Sequence, residues 1–237
     1  LMDAGAVAFT DCDHVIGDNK VVSRTMTYAR SVGALIMAHP QDPSLTAGSA
    51  VTSGKFASLR GLPAVSPTAE RMGLERDMAL VEMTGVRYHA DNLSTAAALP
   101  ALERAKAAGL DVTAALNELD VGDYRTFFKL KPPLRSEDDR KAMVEAVATG
   151  LIDIVCSMHT PQDEESKRLP FEEAASGAVG LQTILPAAMR LIHDGSMDLP
   201  TLWRALSTNP AKRFGLPGGT LAEGRRADLV LFDPDAP

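Results

Sequence analysis

The sequence predicts an α/β fold: a parallel sheet with helices packed around it, forming part or all of an eight-stranded (β/α) barrel, with a small β segment appended at the end. Two observations support the sheet. Short apolar runs alternate with longer helical patterns, as in parallel α/β proteins. Five such strand–helix units fall within the first 195 residues, too few for a closed barrel but enough for most of one. A third observation supports the appended segment, because the alternation of strands and helices stops in the tail.

The elements of the first half begin with a brief apolar run that ends in a polar cluster. A second strand runs directly into His39. The stretch 48–67, rich in Gly, Ser and Pro, is typical of a long loop. We expect strands at residues 6–9, 34–38 and 86–89, and helices at residues 21–31, 67–83 and 95–108.

The second half continues the same alternation. Ser136 begins a helix whose first turn carries acidic residues, which suits the helix dipole. In the tail, residues 219–224 are turn-like and residues 227–233 are strand-like. We expect strands at residues 111–116 and 152–156, and helices at residues 136–150, 178–193 and 199–207. Residues 1–215 are then the barrel domain, and residues 216–237 the start of a C-terminal β segment.

The composition limits the possible functions. Hydrophobic residues make up 45% of the 237 residues and aromatic residues only 5%, so the core is mainly aliphatic. A net charge of -7 without long basic runs argues against nucleic acid or an anionic membrane surface as a partner. No apolar run approaches the roughly 18 to 20 residues of a membrane span. Cys12 and Cys156 have no metal-type spacing, which favours a reduced, cytoplasmic setting.

The start of the chain lacks the basic and apolar regions of a secretory signal. It also begins with Leu1 rather than Met. We therefore expect an N-terminal part of the protein to precede Leu1.

Functional residues of such a barrel lie just after the carboxyl ends of its strands. Every predicted strand end carries polar side chains, which indicates a polar cavity. These are Asp11 and Asp13, His39 and Asp42, His89, Asp91 and Asn92, Asn117 and Glu118, and Ser157, Met158 and His159.

Several motifs occur in an order that is typical of one known protein family. Residues 131–136 (KPPLRS), followed by DDR at 138–140, resemble the family's NPPLRS..DR stretch. Residues 178–183 (AVGLQT) resemble GIVGLET, and residues 209–212 are NPAK. The tail 219–233 is similar to the G.L..G..ADLVLFD ending common among amidohydrolases. Together, in their shared order, these motifs resemble class I dihydroorotases of the amidohydrolase superfamily, and the resemblance covers nearly the whole chain.

This resemblance implies a TIM-type (β/α)8 barrel of the amidohydrolase type and a zinc-dependent hydrolysis of dihydroorotate to N-carbamoyl-aspartate. In the family, a histidine pair on the first barrel strand, a bridging carboxylate and two later histidines bind zinc, and a late aspartate is the general acid/base. Zinc lowers the pKa of a bound water toward about 7 and polarises the amide carbonyl. The aspartate moves the proton to the leaving nitrogen.

By this resemblance, the sequence keeps only some of the family's metal-binding side chains. His39 keeps one histidine ligand, and Asp11 stands in the acidic stretch of the bridging carboxylate, so these two are the residual metal candidates. If the bridging ligand is the second acid of that stretch, Cys12 replaces it. Asn92 replaces the second histidine ligand. The first histidine pair would precede Leu1.

The catalytic and substrate positions depart further. Met158 stands where the family has its acid/base aspartate, and a thioether does not carry a proton at neutral pH. The remaining predicted pocket residues are Asn92, Lys131 in place of a substrate-side asparagine, His159, and Gln162 in place of a substrate-binding histidine. The family's TPHHL stretch has no match at residues 117–121.

Each of these residues also has an ordinary interpretation. His39 is either a residual ligand or a polar residue lining an empty cavity, whereas His89 is more typical of a structural residue. His159 is suited to local hydrogen bonds. Arg135 and its neighbouring prolines are suited to shaping a loop rather than contacting substrate. Asp11 and Asp13 fit a loop-capping role.

Three functions remain open. The first is a non-catalytic dihydroorotase homologue that binds no zinc stably and pairs with aspartate transcarbamoylase, with a homo-oligomer also possible. The second is an active, zinc-dependent cyclic amidohydrolase, for which the missing N-terminal part would supply ligands. The third is a small-molecule sensor. Losing general acid/base help costs about 10² to 10⁴ in rate, which favours the first.

Overall fold

The structure is a computed structural model that describes residues 1–12, 14–116, 126 and 129–234. Its centre is a five-stranded sheet of order β1-β2-β5-β6-β7, in which every neighbouring pair is parallel. The strands in chain order are β1 (Phe9–Thr10), β2 (Leu35–Ala38), β3 (Val51–Thr52), β4 (Ala64–Val65), β5 (Arg87–Leu93), β6 (Val112–Leu116) and β7 (Ile154–Val155). All five predicted strands of the barrel domain are present, with shifted ends, so the predicted parallel alternation is confirmed.

Helices lie between these strands and after the last of them. In chain order they are α1 (Asn19–Ser31), α2 (Pro43–Thr46), α3 (Lys55–Arg60), α4 (Thr68–Thr84), α5 (Leu99–Ala107), α6 (Glu137–Ala148), α7 (Glu164–Lys167), α8 (Ile184–His193), α9 (Leu199–Trp203) and α10 (Asn209–Phe214). The predicted start at Ser136 is confirmed, because its side chain and that of Asp139 form a capping box at α6. No helix in the described part of the chain is long and apolar enough to cross a membrane.

The predicted long loop at residues 48–67 is only partly a loop. It contains the parallel pair β3 and β4 and the helix α3 between them. Two-residue strands and a six-residue helix are too short for a hydrophobic period to be read from sequence. Gly54 and Gly61 are among the glycines that indicated a loop. They lie at the two ends of α3, as its N-cap and C-cap residues.

Two predicted helices have different boundaries. The helix predicted at 178–193 begins only at Ile184, because residues 178–181 bind the loop that follows β7. The helix predicted at 199–207 continues further, as α9, a π-helical segment (Arg204–Thr208) and α10 in succession.

The tail does not form the β segment predicted for it. No strand is assigned within residues 216–234. A strand needs a neighbouring strand to complete its backbone hydrogen bonds, and no segment of the described chain pairs with the tail. The tail is attached by side chains instead: Phe232 stacks on Trp203 with ring centroids 5.5 Å apart, and the Pro234 carbonyl lies 2.9 Å from His193 Nε2. The domain boundary near residue 215 stays a prediction.

Candidate functional site

Three residues with unusual backbone lie at the carboxyl end of the sheet. Cys12 follows β1, Asn92 lies at the end of β5, and Met158 follows β7, with φ angles of 53°, 58° and 41°. They are the positive-φ residues other than glycine in the described part of the chain. Such a conformation costs about 1 to 3 kcal/mol and is concentrated at functional sites. These are also three of the positions at which the family resemblance implies a replaced functional side chain, Cys12 on condition that the second acid is the bridging ligand.

Asp11 is held in place by the loop that follows it. Its Oδ2 atom accepts a hydrogen bond from the Ile16 backbone N–H at 3.3 Å, and the Ile16 carbonyl accepts one from Arg76 at 2.9 Å. The Oδ1 atom of Asp11 is buried and has no partner among the described residues. Burial raises the pKa of this carboxyl above its ordinary value. Asp11 is therefore a positioned carboxylate with one oxygen available to a ligand.

His39 is the second buried group with a free atom. It lies just beyond β2 and is 7% exposed. Its Nδ1 atom is 3.4 Å from the Asp91 carbonyl, whereas its Nε2 atom has no partner in the described chain. Close packing fixes the loop behind it, because a Cβ added at Gly73 of α4 would overlap with the Gln41 backbone. Asp42, the other predicted polar residue here, instead caps α2.

Asp91 and Asn92 are paired with each other. The Asn92 amide donates to Asp91 Oδ2 at 3.0 Å, and its Oδ1 atom lies 4.0 Å from the Cys156 sulfur. Burial raises the pKa of the Asp91 carboxyl, and the nearby His39 partly opposes this. The amide that replaces the family's histidine is thus engaged in local contacts on both sides.

Zinc sites in proteins usually need four ligands, of which at least three come from side chains. Among the described residues, no three His, Cys, Asp or Glu side chains are grouped closely enough to hold a metal ion. In the part of this sheet end that the structure describes, only Asp11 Oδ1 and His39 Nε2 are buried side-chain atoms left without a partner. The described residues alone therefore do not fit a zinc ion.

Beyond β7 the site becomes apolar. Cys156, Ser157 and Met158 line one end of a cavity of about 570 Å³ that extends between α6 and α8. Burial raises the pKa of the Cys156 thiol to about 12, with Asp91 adding to the effect, so the thiol is neutral. The side chain at the predicted acid/base position is therefore a thioether, which has no group to transfer a proton, and its neighbour Cys156 is uncharged.

A family comparison agrees with this architecture. The model of the amidohydrolase family matches residues 1–237. The chain belongs to the amidohydrolase family. It is 39% identical to a dihydroorotase-like protein of Pseudomonas aeruginosa over 99% of its own length, and 36% identical to a dihydroorotase of Syntrophotalea carbinolica, also over 99%. These matches cover 57% of each relative, so the chain spans little more than half of their length. The predicted resemblance to dihydroorotases is confirmed.

Solved amidohydrolase-type barrels have the same fold. The L-hydantoinase (dihydropyrimidinase) of Arthrobacter aurescens superimposes with a TM-score of 0.83 at 23% identity, covering 95% of this chain and 55% of that one. A D-hydantoinase superimposes with a TM-score of 0.79 at 21% identity, covering 94% and 54%. At such identities the likeness shows the fold alone, and it confirms the predicted TIM-type barrel.

Two of the predicted substrate residues join loops in this amidohydrolase chain. The Nδ1 atom of His159 accepts hydrogen bonds from the Gly180 and Leu181 backbone N–H groups at 3.0 and 3.2 Å. The Gln162 amide donates to the Ser176 carbonyl at 3.1 Å. The local hydrogen bonding expected of His159 is present.

The other predicted pocket residues lie apart from the cavity wall. Lys131 precedes a cis peptide bond to Pro132, and Pro132 rather than Lys131 lines the cavity. Asn92 also lies outside the wall. The substrate role of Asn92, Lys131, His159 and Gln162 stays a prediction. The expectations for Asp13, Asn117 and Glu118, and the motif comparison at 117–121, lie outside the described residues.

Sequence reasoning missed one polar network beside the cavity. Glu70 of α4 accepts hydrogen bonds from the backbone N–H groups of Ser94 and Thr95 and pairs with Arg135. Asp139 of α6 accepts from the Thr95 hydroxyl at 2.8 Å. Arg135 therefore shapes its loop, as one interpretation of the sequence had it. The sequence shows Glu70 only as an acidic residue in the first turn of a long helix. That position alone does not indicate that its side chain is buried.

His89 is a structural residue of the barrel. It is 2% exposed, its Nδ1 atom lies 2.7 Å from the Thr113 hydroxyl, and its ring packs edge-on against Phe214. Burial lowers the pKa of His89 to about 4, and the Arg213 charge adds to this. The ring is therefore neutral near pH 7, in agreement with the ordinary interpretation of this histidine.

Proposed function

We propose that this amidohydrolase chain is part of a dihydroorotase-like protein of de novo pyrimidine biosynthesis that does not hydrolyse dihydroorotate and serves as a non-catalytic partner of aspartate transcarbamoylase. The observation that carries the proposal is Met158, a thioether at the predicted acid/base position, two residues from the neutral Cys156 thiol. General acid/base catalysis needs a group whose pKa lies near the working pH. A thioether has none.

The metal positions support the same proposal. Asn92 is bound to Asp91 rather than left free, and only Asp11 and His39 offer buried atoms without partners in the described chain. Two such atoms do not hold zinc against water and competing chelators. A protein of this kind retains the barrel as a scaffold. The partnership, a homo-oligomer and the cytoplasmic setting are parts of the proposal, as is the absence of nucleic-acid binding.

The experiment uses the complete protein, of which this chain is part. It is coexpressed with the aspartate transcarbamoylase of the same source, with a tag on the transferase. We expect the two to elute together at a fixed ratio, and dihydroorotate hydrolysis to stay at the buffer rate. Separate elution together with unchanged transferase activity and assembly would contradict the proposed partnership.

One observation favours the alternative of an active, zinc-dependent dihydroorotase. Asp11 Oδ1 and His39 Nε2 are buried atoms that find no partner among the described residues, and buried polar atoms are normally satisfied. A metal ion held jointly with ligands from outside this chain would satisfy both. Metal analysis and a ring-opening assay on the complete protein separate the cases. Near-stoichiometric zinc with rapid turnover would replace the non-catalytic proposal by this one.

A further inference from the structure

The cavity beside β7 is separate from the Asp11 and His39 pair, neither of which lines it. It is bounded by the end of β7, the loop at residues 130–136 and the helices α6 and α8. Its wall is mainly aliphatic and includes Val147 from α6 and Leu191 from α8. Met158 is also one of the lining residues. The cavity is thus an apolar space at the functional edge of the barrel.

The size of this space distinguishes it from ordinary packing defects. Protein interiors are close-packed, and voids larger than a water molecule are few. A volume of about 570 Å³ falls within the range of small-molecule pockets, roughly 300 to 1,000 Å³. Water is a poor occupant of an apolar space, because each buried water needs about three hydrogen bonds. A cavity of this size and lining favours an apolar occupant.

The charged side chains of the wall are already neutralised. Arg135 is paired with the buried Glu70, and Arg140 binds Glu137 with Nε 2.6 Å from Oε2. The Cys156 thiol is neutral. A charged ligand would compete with these ion pairs for a counter-charge and would lie against a mainly aliphatic wall, which is costly. The lining therefore favours an uncharged ligand over a charged one.

One polar anchor remains. The Ser157 side chain lines the cavity, and its hydroxyl makes no hydrogen bond within the described chain. By contrast, the hydroxyls of Ser94 and Ser136 are used by Glu70 and Asp139. A ligand that fills the aliphatic space and places one hydroxyl or amine beside Ser157 would complete this hydrogen bond.

We propose that this cavity binds a neutral aromatic or alicyclic molecule that carries a single hydrogen-bonding group, anchored at Ser157 and packed between α6 and α8. A chain segment is a poorer occupant, because its backbone N–H and C=O groups would find few partners in an aliphatic wall. This function is separate from the proposed dihydroorotase-like role and needs neither zinc nor the transferase.

The test measures binding of phenol and of toluene, two molecules of nearly equal shape, to the complete protein by ligand-observed nuclear magnetic resonance titration. The Ala187→Phe variant fills the cavity from α8, since Ala187 lines it and is partly buried. The Ala79→Phe variant is the matched control, because Ala79 is an exposed residue of the helix α4. The Ser157→Ala variant removes the anchor with little change in volume.

We expect saturable phenol binding that weakens at least about tenfold in Ala187→Phe and is unchanged in Ala79→Phe. Ser157→Ala should weaken phenol binding about fivefold, the effect of one net hydrogen bond, and leave toluene binding unchanged.

If Ala187→Phe fails to fold, the Ser157→Ala comparison decides the question alone. Absence of phenol binding, or equal phenol affinity in the wild type and Ser157→Ala, would overturn the proposal. Self-association that Ala187→Phe abolishes, without phenol binding, would assign the cavity to a second copy of the chain and also overturn it.

Discussion

Arg135 and Glu70 form a buried ion pair, with Nη2 3.2 Å from Oε2 and side chains that are 6% and 2% exposed. Arg135 also donates to the Ser94 hydroxyl at 2.9 Å and to the Thr52 hydroxyl at 3.1 Å. Through these bonds, one guanidinium fixes the loop at 130–136 to β3, to α4 and to the end of β5. The PPLRS motif is therefore held by a network rather than by its prolines alone.

Removing one member of this pair should destabilise the fold strongly. We expect Glu70→Ala to lower the free energy of unfolding by about 3 to 5 kcal/mol, because it leaves a buried, uncompensated guanidinium. Urea denaturation followed by circular dichroism measures this. The matched control is Glu164→Ala, which removes an ion pair with Arg168 whose side chains are both more than 70% exposed. That change should lower the free energy of unfolding by less than about 1 kcal/mol. If Glu70→Ala and Glu164→Ala lowered it equally, the structural role of the network would be contradicted.

Acid should destabilise the protein through His89. The pKa of its ring is about 4 in the folded state and 6.5 in its unperturbed state, so the unfolded chain binds the proton more readily between these values. The stabilising contribution is complete above about pH 6.5 and is lost as the pH falls toward 4, up to a total of about 3 kcal/mol.

The measurement for this prediction is the midpoint of urea unfolding at several pH values between 4 and 7. Wild type and His89→Gln are compared, because the variant lacks the titrating ring. The difference between them should change steeply between pH 6.5 and 4 and be constant above that range. A difference that does not depend on pH would show that His89 is not the responsible group.

Gly180 should be irreplaceable for the loop that follows β7. A Cβ at this position would overlap with the Ser157 carbonyl oxygen, which is backbone and does not move cheaply. We expect Gly180→Ala to cost about 1 to 3 kcal/mol and to release the hydrogen bond to His159. The exchange rate of the Gly180 amide hydrogen reports that bond in the wild type. Gly218→Ala is the control, since its added Cβ would meet open space. An unperturbed loop in Gly180→Ala would refute the proposed close contact.

The sequence predicted the parallel sheet and the residues that follow its strands, because strand and helix periods are local properties. It predicted neither the buried state of Glu70 nor the capping role of Asp42. Those depend on which distant segments meet, such as α4 with the end of β5 and with residue 135. The tail was predicted as a strand from its apolar run, yet pairing needs a neighbouring strand that the run itself does not specify. The left-handed backbone of Met158 likewise has no sequence signal, since Met rarely adopts it.

Asn92→His should restore affinity for zinc if the degenerate site is explained by lost side chains alone. Histidine is among the residue types that tolerate a positive φ, so the backbone at 58° need not change. The new imidazole would join Asp11 and His39, and three ligands bind zinc far more tightly than two. We expect zinc affinity to rise at least about tenfold, measured by competition with a chromogenic chelator on the complete protein.

Asn19→His, which adds the same group at the exposed start of α1, should leave zinc affinity unchanged. Equal affinities of the two variants would mean that the three strand ends do not converge on one metal position, and the residual-ligand interpretation of Asp11 and His39 would then fail.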